Sequence, residues 1–169
     1  GVVGYSSKST VNKCYNTGDV IGTADRAHIG GVVGNNNMSA TASNCYNTGN
    51  VSGTGADSCI GGVLGYNWGT GAHCYSIGTV SGDGYLGGVV GSTGNATITN
   101  CYYDSTKFSG SSYGVDEYPS DPSIIIAYGK TTIEFATENM ATLLNADQEN
   151  APWEYLAGNP APTLKVFNS

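Results

Sequence analysis

The sequence predicts an all-β fold: a right-handed parallel β-solenoid of about three to four coils, closed by a small C-terminal α/β cap. Three observations carry this reading. First, the chain repeats itself: NKCYNTGDV starts at Asn12 and SNCYNTGNV at Ser43, with HCYSIGTV from His73 and NCYYD from Asn100 as looser copies. Second, the copies recur at a period typical of solenoids, since Val2, Val32, Val63 and Val89 are separated by 30, 31 and 26 residues. Third, the 169 residues include 26 Gly and 12 Tyr, with much Asn, Ser and Thr, against 2 Met and 3 Phe. Glycine and short polar or β-branched residues weaken helices, while the recurrent Val, Ile and Tyr supply apolar surface to bury.

Each copy opens on a glycine-valine block: GVVG at Gly1, IGGVVG at Ile29, IGGVLG at Ile60 and LGGVVG at Leu86. A polar stretch leads to Cys-Tyr at Cys14, Cys45, Cys74 and Cys101, and six residues after the first three cysteines stand Val20, Val51 and Val80. The step from cysteine to valine is constant, whereas the other two vary by up to three residues. Strands resist insertion and exposed corners tolerate it, so constant and variable steps mark strands and corners. Three strand-length pieces in about 30 residues suit one solenoid turn, which buries its inner face only against a turn above or below. GVVG at Gly1 matches the interior of later copies, so the chain reads as a piece of a longer polypeptide.

Strand side chains alternate between faces, and stacked strands place equivalent residues about 4.8 Å apart. An inner column of Cys14, Cys45, Cys74 and Cys101 follows, with an outer column of Tyr15, Tyr46, Tyr75 and Tyr102. Asn16, Asn47 and Ser76 form a third column, inward or at a corner, able to hydrogen-bond along the stack. Val32 and Val33 cannot both face inward in a regular strand. Either Gly30-Gly31 makes a bulge or another element covers the outer face. Cys59 precedes Ile60, outside the cysteine column, and is expected to be the more exposed thiol.

The segment IGGVVG…NCYNTGNVSG, from Ile29 to Gly53, resembles the GLUG-motif repeats of bacterial surface and secreted proteins. The G-L/V-x-G core of that family corresponds to Gly31-Val32-Val33-Gly34, Gly62-Val63-Leu64-Gly65 and Gly88-Val89-Val90-Gly91. The resemblance covers about residues 1–103; the third copy departs at Ser76-Ile77 and the fourth stops at Cys101-Tyr102. It implies an extracellular or cell-surface module of a larger adhesin-like protein, or one beside an immunoglobulin-cleaving metallopeptidase. It brings no catalytic motif to any position here.

A change in charge marks the expected boundary between residues 1–103 and a capping segment, 104–169. The first part carries four aspartates against Lys8, Lys13 and Arg26, and the second carries nine acids against three lysines, within a net charge of −7. Thr131-Thr132-Ile133-Glu134 reads as a helix capping box. Ile133, Met140, Leu143 and Leu144 form a broken helical stripe, so one or two short helices are expected before Asp147. Ile124-Ile125-Ile126 reads as a strand. An open solenoid end exposes strand edges, and Leu143, Leu144 and Trp153 are expected to pack on the last coil.

Chemistry is sparse. Neither part is basic, which disfavours nucleic acid, and no apolar run is long enough to insert in a membrane. The four aligned cysteines lie about 30 residues apart and fit no zinc framework, so they read as a buried, unpaired column with no metal and no cofactor. His28 and His73, the two histidines, sit next to strand starts without a nucleophile or HExxH pattern. Asp25, Asp57 and Asp83 fall in the loop before the next block, where a solvated edge and a weak cation site are both open readings. Asn37-Met38-Ser39 and Asn95-Ala96-Thr97 match the glycosylation sequon, as chance matches in Asn-rich loops. The tyrosine column, Tyr15, Tyr46, Tyr75 and Tyr102, is the binding candidate: its rings either stack on one another or take a glycan or a host-cell-surface protein. The leading function is a non-enzymatic extracellular repeat module, acting as a stalk or an adhesive surface. The alternatives are a carbohydrate-binding or carbohydrate-processing β-helix and an accessory segment of a secreted peptidase.

Overall fold

The structure is a computed structural model and describes residues 1–111 and 125–167. In chain order the strands are β1 (Val3–Ser7), β2 (Thr10–Asn12), β3 (Tyr15–Asn16), β4 (Val20–Gly22), β5 (His28–Gly30), β6 (Val33–Asn37), β7 (Thr41–Ser43) and β8 (Tyr46–Asn47). They continue as β9 (Val51–Gly61), β10 (Leu64–Asn67), β11 (Thr70–Ala72), β12 (Tyr75–Ser76), β13 (Val80–Gly87), β14 (Val90–Thr93) and β15 (Thr97–Asp104). Every strand pairs in parallel with its equivalent one repeat away, which makes the predicted parallel β-solenoid of about four coils. One face is β1-β6-β10-β14. The second has two arms, β2-β7-β11 and β3-β8-β12, joined in the last coil by β15. The third is β4-β9-β13, with β5 on the second half of β9.

The corners explain the repeat. Between the two arms of the second face, one residue per coil takes the left-handed conformation: Lys13, Asn44, His73 and Asn100, with φ between 49° and 56°. The residue that follows is always the repeat's cysteine. Its thiol donates back across the corner to the carbonyl two residues earlier, Cys14 to Asn12 at 3.5 Å, Cys45 to Ser43 at 3.2 Å, Cys74 to Ala72 at 3.1 Å and Cys101 to Thr99 at 3.3 Å. A small apolar side chain with one weak donor suits an inward position beside a turn carbonyl. The turn is thus at the residue before cysteine, and Asn47 and Ser76 point inward.

The valine pair is resolved by a bend. Val32 and Val33 both donate to the single carbonyl of Val63, at 2.9 and 3.0 Å, and Val63 and Leu64 both donate to that of Val89. The chain turns between β5 and β6 at this point, so both valines reach the same core. Gly31 is required there, because a Cβ would collide with the carbonyl of Gly62 and lie 2.5 Å from Cγ of Asn47. The core between the first two faces comprises Val32, Val33, Val63, Leu64, Val89, Val90, Ile98 and the buried cysteines of the column. A second, smaller core of Ile29, Val51, Ile60 and Val80 fills the third face. In Val51-Ser52-Gly53 the glycine is bare because a Cβ would stand 2.6 Å from Cδ1 of Ile29 and 2.8 Å from that of Ile60.

Two buried polar columns run along the stack. The predicted one is present: Asn16 donates to Oδ1 of Asn47 at 2.8 Å, and Asn47 donates to Gly49 O at 2.7 Å and Ser76 Oγ at 3.4 Å. The other, Ser6, Asn36, Asn67 and Thr93 on the first face, is buried throughout and joined by Asn36 Nδ2 to Asn67 Oδ1 at 2.7 Å. No single residue type marks it in the sequence. At the first coil the stack stops: β1, β2, β3 and β4 are all edge strands, and Val2, Tyr5, Tyr15 and Ile21 are exposed there.

After the last coil, β16 (Ile125–Lys130) lies parallel to β15, and Ile124 falls outside the described residues. Helices α1 (Thr132–Phe135) and α2 (Glu138–Leu144) follow, then the antiparallel pair β17 (Trp153–Glu154) and β18 (Thr163–Leu164). The capping box is present: Thr131 N donates to Glu134 Oε2 at 2.7 Å and Glu134 N to Thr131 Oγ1 at 3.3 Å. The tail's place differs from expectation. Leu144 and Trp153 are buried, with Leu143 against them, on the second face of the solenoid across several coils rather than on the last coil alone. That face carries the rings of Tyr46 and Tyr75, a far larger apolar surface than one coil edge.

Truncating Asn47 to alanine strands the buried carbonyl of Gly49 and removes one of the two acceptors of the half-buried Asn16 amide, which keeps Gly18 O. Urea denaturation should show a loss of about 1–3 kcal/mol; an unchanged midpoint would mean the column is not structural.

Candidate functional site

The tyrosine column was the binding candidate, and the structure places its four members in strict register: Tyr15 opposite Tyr46, Tyr46 opposite Tyr75, Tyr75 opposite Tyr102. Tyr15 and Tyr46 stack at 5.1 Å between centroids and 8° between planes, and Tyr46 and Tyr75 at 5.2 Å and 12°. Tyr102 tilts toward Tyr128 of β16, at 6.0 Å. Of the two readings open for this column, mutual stacking is present from Tyr15 through Tyr46 to Tyr75, and three of the four rings are covered. Tyr46, Tyr75 and Tyr102 are buried under Phe135, Met140, Ala141, Leu144, Trp153, Ala161 and Leu164 of the tail. Tyr15 alone stays exposed, at 43%, with the edge of Phe167 4.9 Å from its ring.

Polar contacts lock this cover. The Tyr75 hydroxyl donates to Pro162 O at 2.7 Å, Trp153 Nε1 donates to Asn44 Oδ1 at 3.1 Å, and His73 Nδ1 donates to the carbonyl of Leu144 at 3.0 Å. Asn44 and His73 are the left-handed corner residues of two successive coils, so the corners themselves hold the tail. Burial pushes the Tyr75 phenol well above its usual range and that of Tyr46 upward, the latter helped by Tyr15. Burial also lowers the pKa of His73 against the opposing pulls of the Leu144 carbonyl and Asp147.

The remaining candidates also have structural partners. Cys45, Cys74 and Cys101 are buried in the first core. Burial raises the Cys74 thiol well above its usual value. Cys45 is raised as well, first by its hydrogen bond with Cys74 and then by burial. Cys59 lies outside that column as expected, but it is buried at 3%, not exposed; it is flanked in register by His28 and Tyr85. The most accessible thiol is Cys14, on the open first coil. His28 takes a hydrogen bond with Asn35 at 2.8 Å and stacks on Tyr66 at 5.0 Å. Asp19 accepts from Asn50 N, and Asp25 from Ala56 N, both at 2.9 Å, so each spans two coils. Asp57 lies within β9 in the left-handed conformation, and Asp83 lies within β13 between Gly82 and Gly84, both at positive φ, where the pairing of β13 with β9 is irregular. Among the described residues no three His, Cys, Asp or Glu side chains gather to hold a metal. No described helix is long and apolar enough to cross a membrane.

No protein-family model matches the chain, and no curated protein matches it. Its fold is similar to the crystal structure of a putative immunoglobulin A1 protease from Bacteroides ovatus, with a TM-score of 0.62 at 20% identity. The likeness covers 96% of this chain and 62% of that one, so this chain spans less than two thirds of the larger structure. At that identity the likeness shows a shared fold.

Two outcomes are expected from this arrangement. Alkylation of the native protein at mildly alkaline pH should modify Cys14 first and leave Cys45 and Cys74 until unfolding, read by peptide mass; early labelling of Cys59 would contradict the packing. Trp153→Ala should cost about 3–5 kcal/mol in urea denaturation, and retention of full stability would mean that the tail only rests on the tyrosines.

Proposed function

We propose that this chain is a non-enzymatic repeat module of a larger bacterial surface or secreted protein, serving as a stalk or adhesive surface built from GLUG-like repeats. One observation carries the reading: the side chains best suited to chemistry are committed to holding the stack together. Three of the five thiols form an inner column, His73 anchors α2, Asp19 and Asp25 bridge coils, and three of the four column tyrosines lie under the tail. What such a surface offers is length and regularity, the properties of a spacer.

The first coil presents uncovered strand edges and apolar side chains. Ile21 is 72% exposed, and the edges of β1, β2, β3 and β4 have no strand beside them among the described residues. Free edges of this kind invite uncontrolled association unless another coil covers them. The likeness to a larger bacterial protein fits the same reading.

Antibody raised against residues 1–169 and applied to intact cells of the source bacterium tests the proposal. Surface labelling is expected, with a denatured antigen much larger than the 169-residue chain. Labelling only after lysis, on an antigen of this size, would overturn it.

A further inference from the structure

A cleft of about 350 Å³ opens at the corner between the first and second faces, lined by Asn37, Met38, Ser39, Trp68 and Asn95. It gathers two features that stability alone does not favour. Trp68 is 51% exposed, although the other tryptophan, Trp153, is buried. Tryptophan is enriched at interaction surfaces, where its apolar body and polar N–H both find partners, and Met38 beside it is exposed as well, at 55%. Beside it, Met38 and Ser39 are consecutive non-glycine residues at φ 50° and 63°, in a loop two residues longer than its neighbour, counting 13 from Val32 to Cys45 against 11 from Val63 to Cys74. The pair makes a tight left-handed turn that fixes the tip of this longer loop.

The cleft is also braced. Trp68 N donates to Asn36 O at 2.7 Å, fixing the tip to the coil before it. A Cβ on Gly94 would lie 3.5 Å from Cγ of Trp68 and 3.0 Å from the Tyr66 hydroxyl, so the indole rests against the loop of the next coil. On the other side Asn37 Oδ1 accepts from Met38 N at 2.7 Å and holds the strained tip. The result is a preformed shelf, three coils wide, with an aromatic plane at its centre.

Its chemistry selects the ligand. None of the five lining residues is charged, which removes the pairing that an anion or a cation would need. An indole, the exposed Met38 side chain, two carboxamides and a hydroxyl remain, the Asn37 amide already donating to the Tyr5 hydroxyl at 3.4 Å and accepting from Met38 N. A sugar ring matches this set, because its C–H face stacks on an aromatic plane while its hydroxyls exchange hydrogen bonds with amides. We propose that the Trp68 cleft is a carbohydrate subsite that takes a neutral pyranose ring stacked on the indole. It gives the adhesive surface proposed above a ligand class. It rests on that reading for its biological role, but not for binding itself, which is measured without reference to where the parent protein resides.

Intrinsic tryptophan fluorescence provides the test, using hexamers of β-1,4-glucose, α-1,6-mannose and β-1,4-N-acetylglucosamine as probes. At least one should shift the emission of exposed Trp68 saturably. In isothermal titration calorimetry, used because these variants lack the reporting indole, Trp68→Ala should weaken binding roughly tenfold or more, while Trp68→Phe keeps part of it. The buried Trp153 signal reports that each variant is folded. The proposal is overturned if no probe gives a saturable shift, or if binding survives unchanged in Trp68→Ala. A shift with an apolar peptide but with none of the sugars would also overturn it, in favour of a protein partner.

Discussion

The structure depends on parallel stacking in register. Each coil lies one strand spacing from the next, so a residue inside one coil meets its equivalent in the next, and a side chain is tolerated only if it can live beside its own kind. Asparagine satisfies this because an amide both donates and accepts, as from Asn16 to Asn47 and from Asn36 to Asn67. Cysteine satisfies it because the thiol is small and directs its weak donor to its own corner carbonyl. Tyrosine satisfies it by stacking face to face. Charged residues do not, and the aspartates of the repeat stay out of the core: Asp19 and Asp25, between strands, take backbone N–H groups from the following coil, and Asp57 and Asp83 are exposed.

The same constraint sets what the tail must do. Rings stacked on one face make a continuous apolar strip, and such a strip in water is a liability as well as an opportunity. Here the tail covers it with Phe135, Met140, Leu144, Trp153 and Leu164 and ties the edges with hydrogen bonds to Asn44, His73 and Tyr75. The cover runs along the stack, so it clamps successive coils together as well as protecting them. The corner loops, where lengths vary and Trp68 stands, stay uncovered by the tail.

Much of this was legible in the residues. The period, the parallel stack, the cysteine and asparagine columns and the Thr131–Glu134 capping box follow from local pattern and spacing, because a repeat reports its own geometry several times over. The failures have separate causes, the first being what lies across space from a single position. Cys59 was expected outside the column and exposed; it is outside the column and buried, between His28 and Tyr85. The column Ser6, Asn36, Asn67 and Thr93 escaped notice because its members are not one residue type. The left-handed corners escaped it as well, since Lys13 and His73 carry no turn signal of their own.

The sequence by itself determined the coil: its length, its inward and outward positions, and the residue types able to face their own copies. Only the tertiary structure decided the fate of the tyrosine face. Alternation says that Tyr46 and Tyr75 leave the core of the coil, but it is silent on whether solvent or another segment waits there. The tail that meets them lies about 60 to 120 residues further along the chain, a contact that no local period encodes.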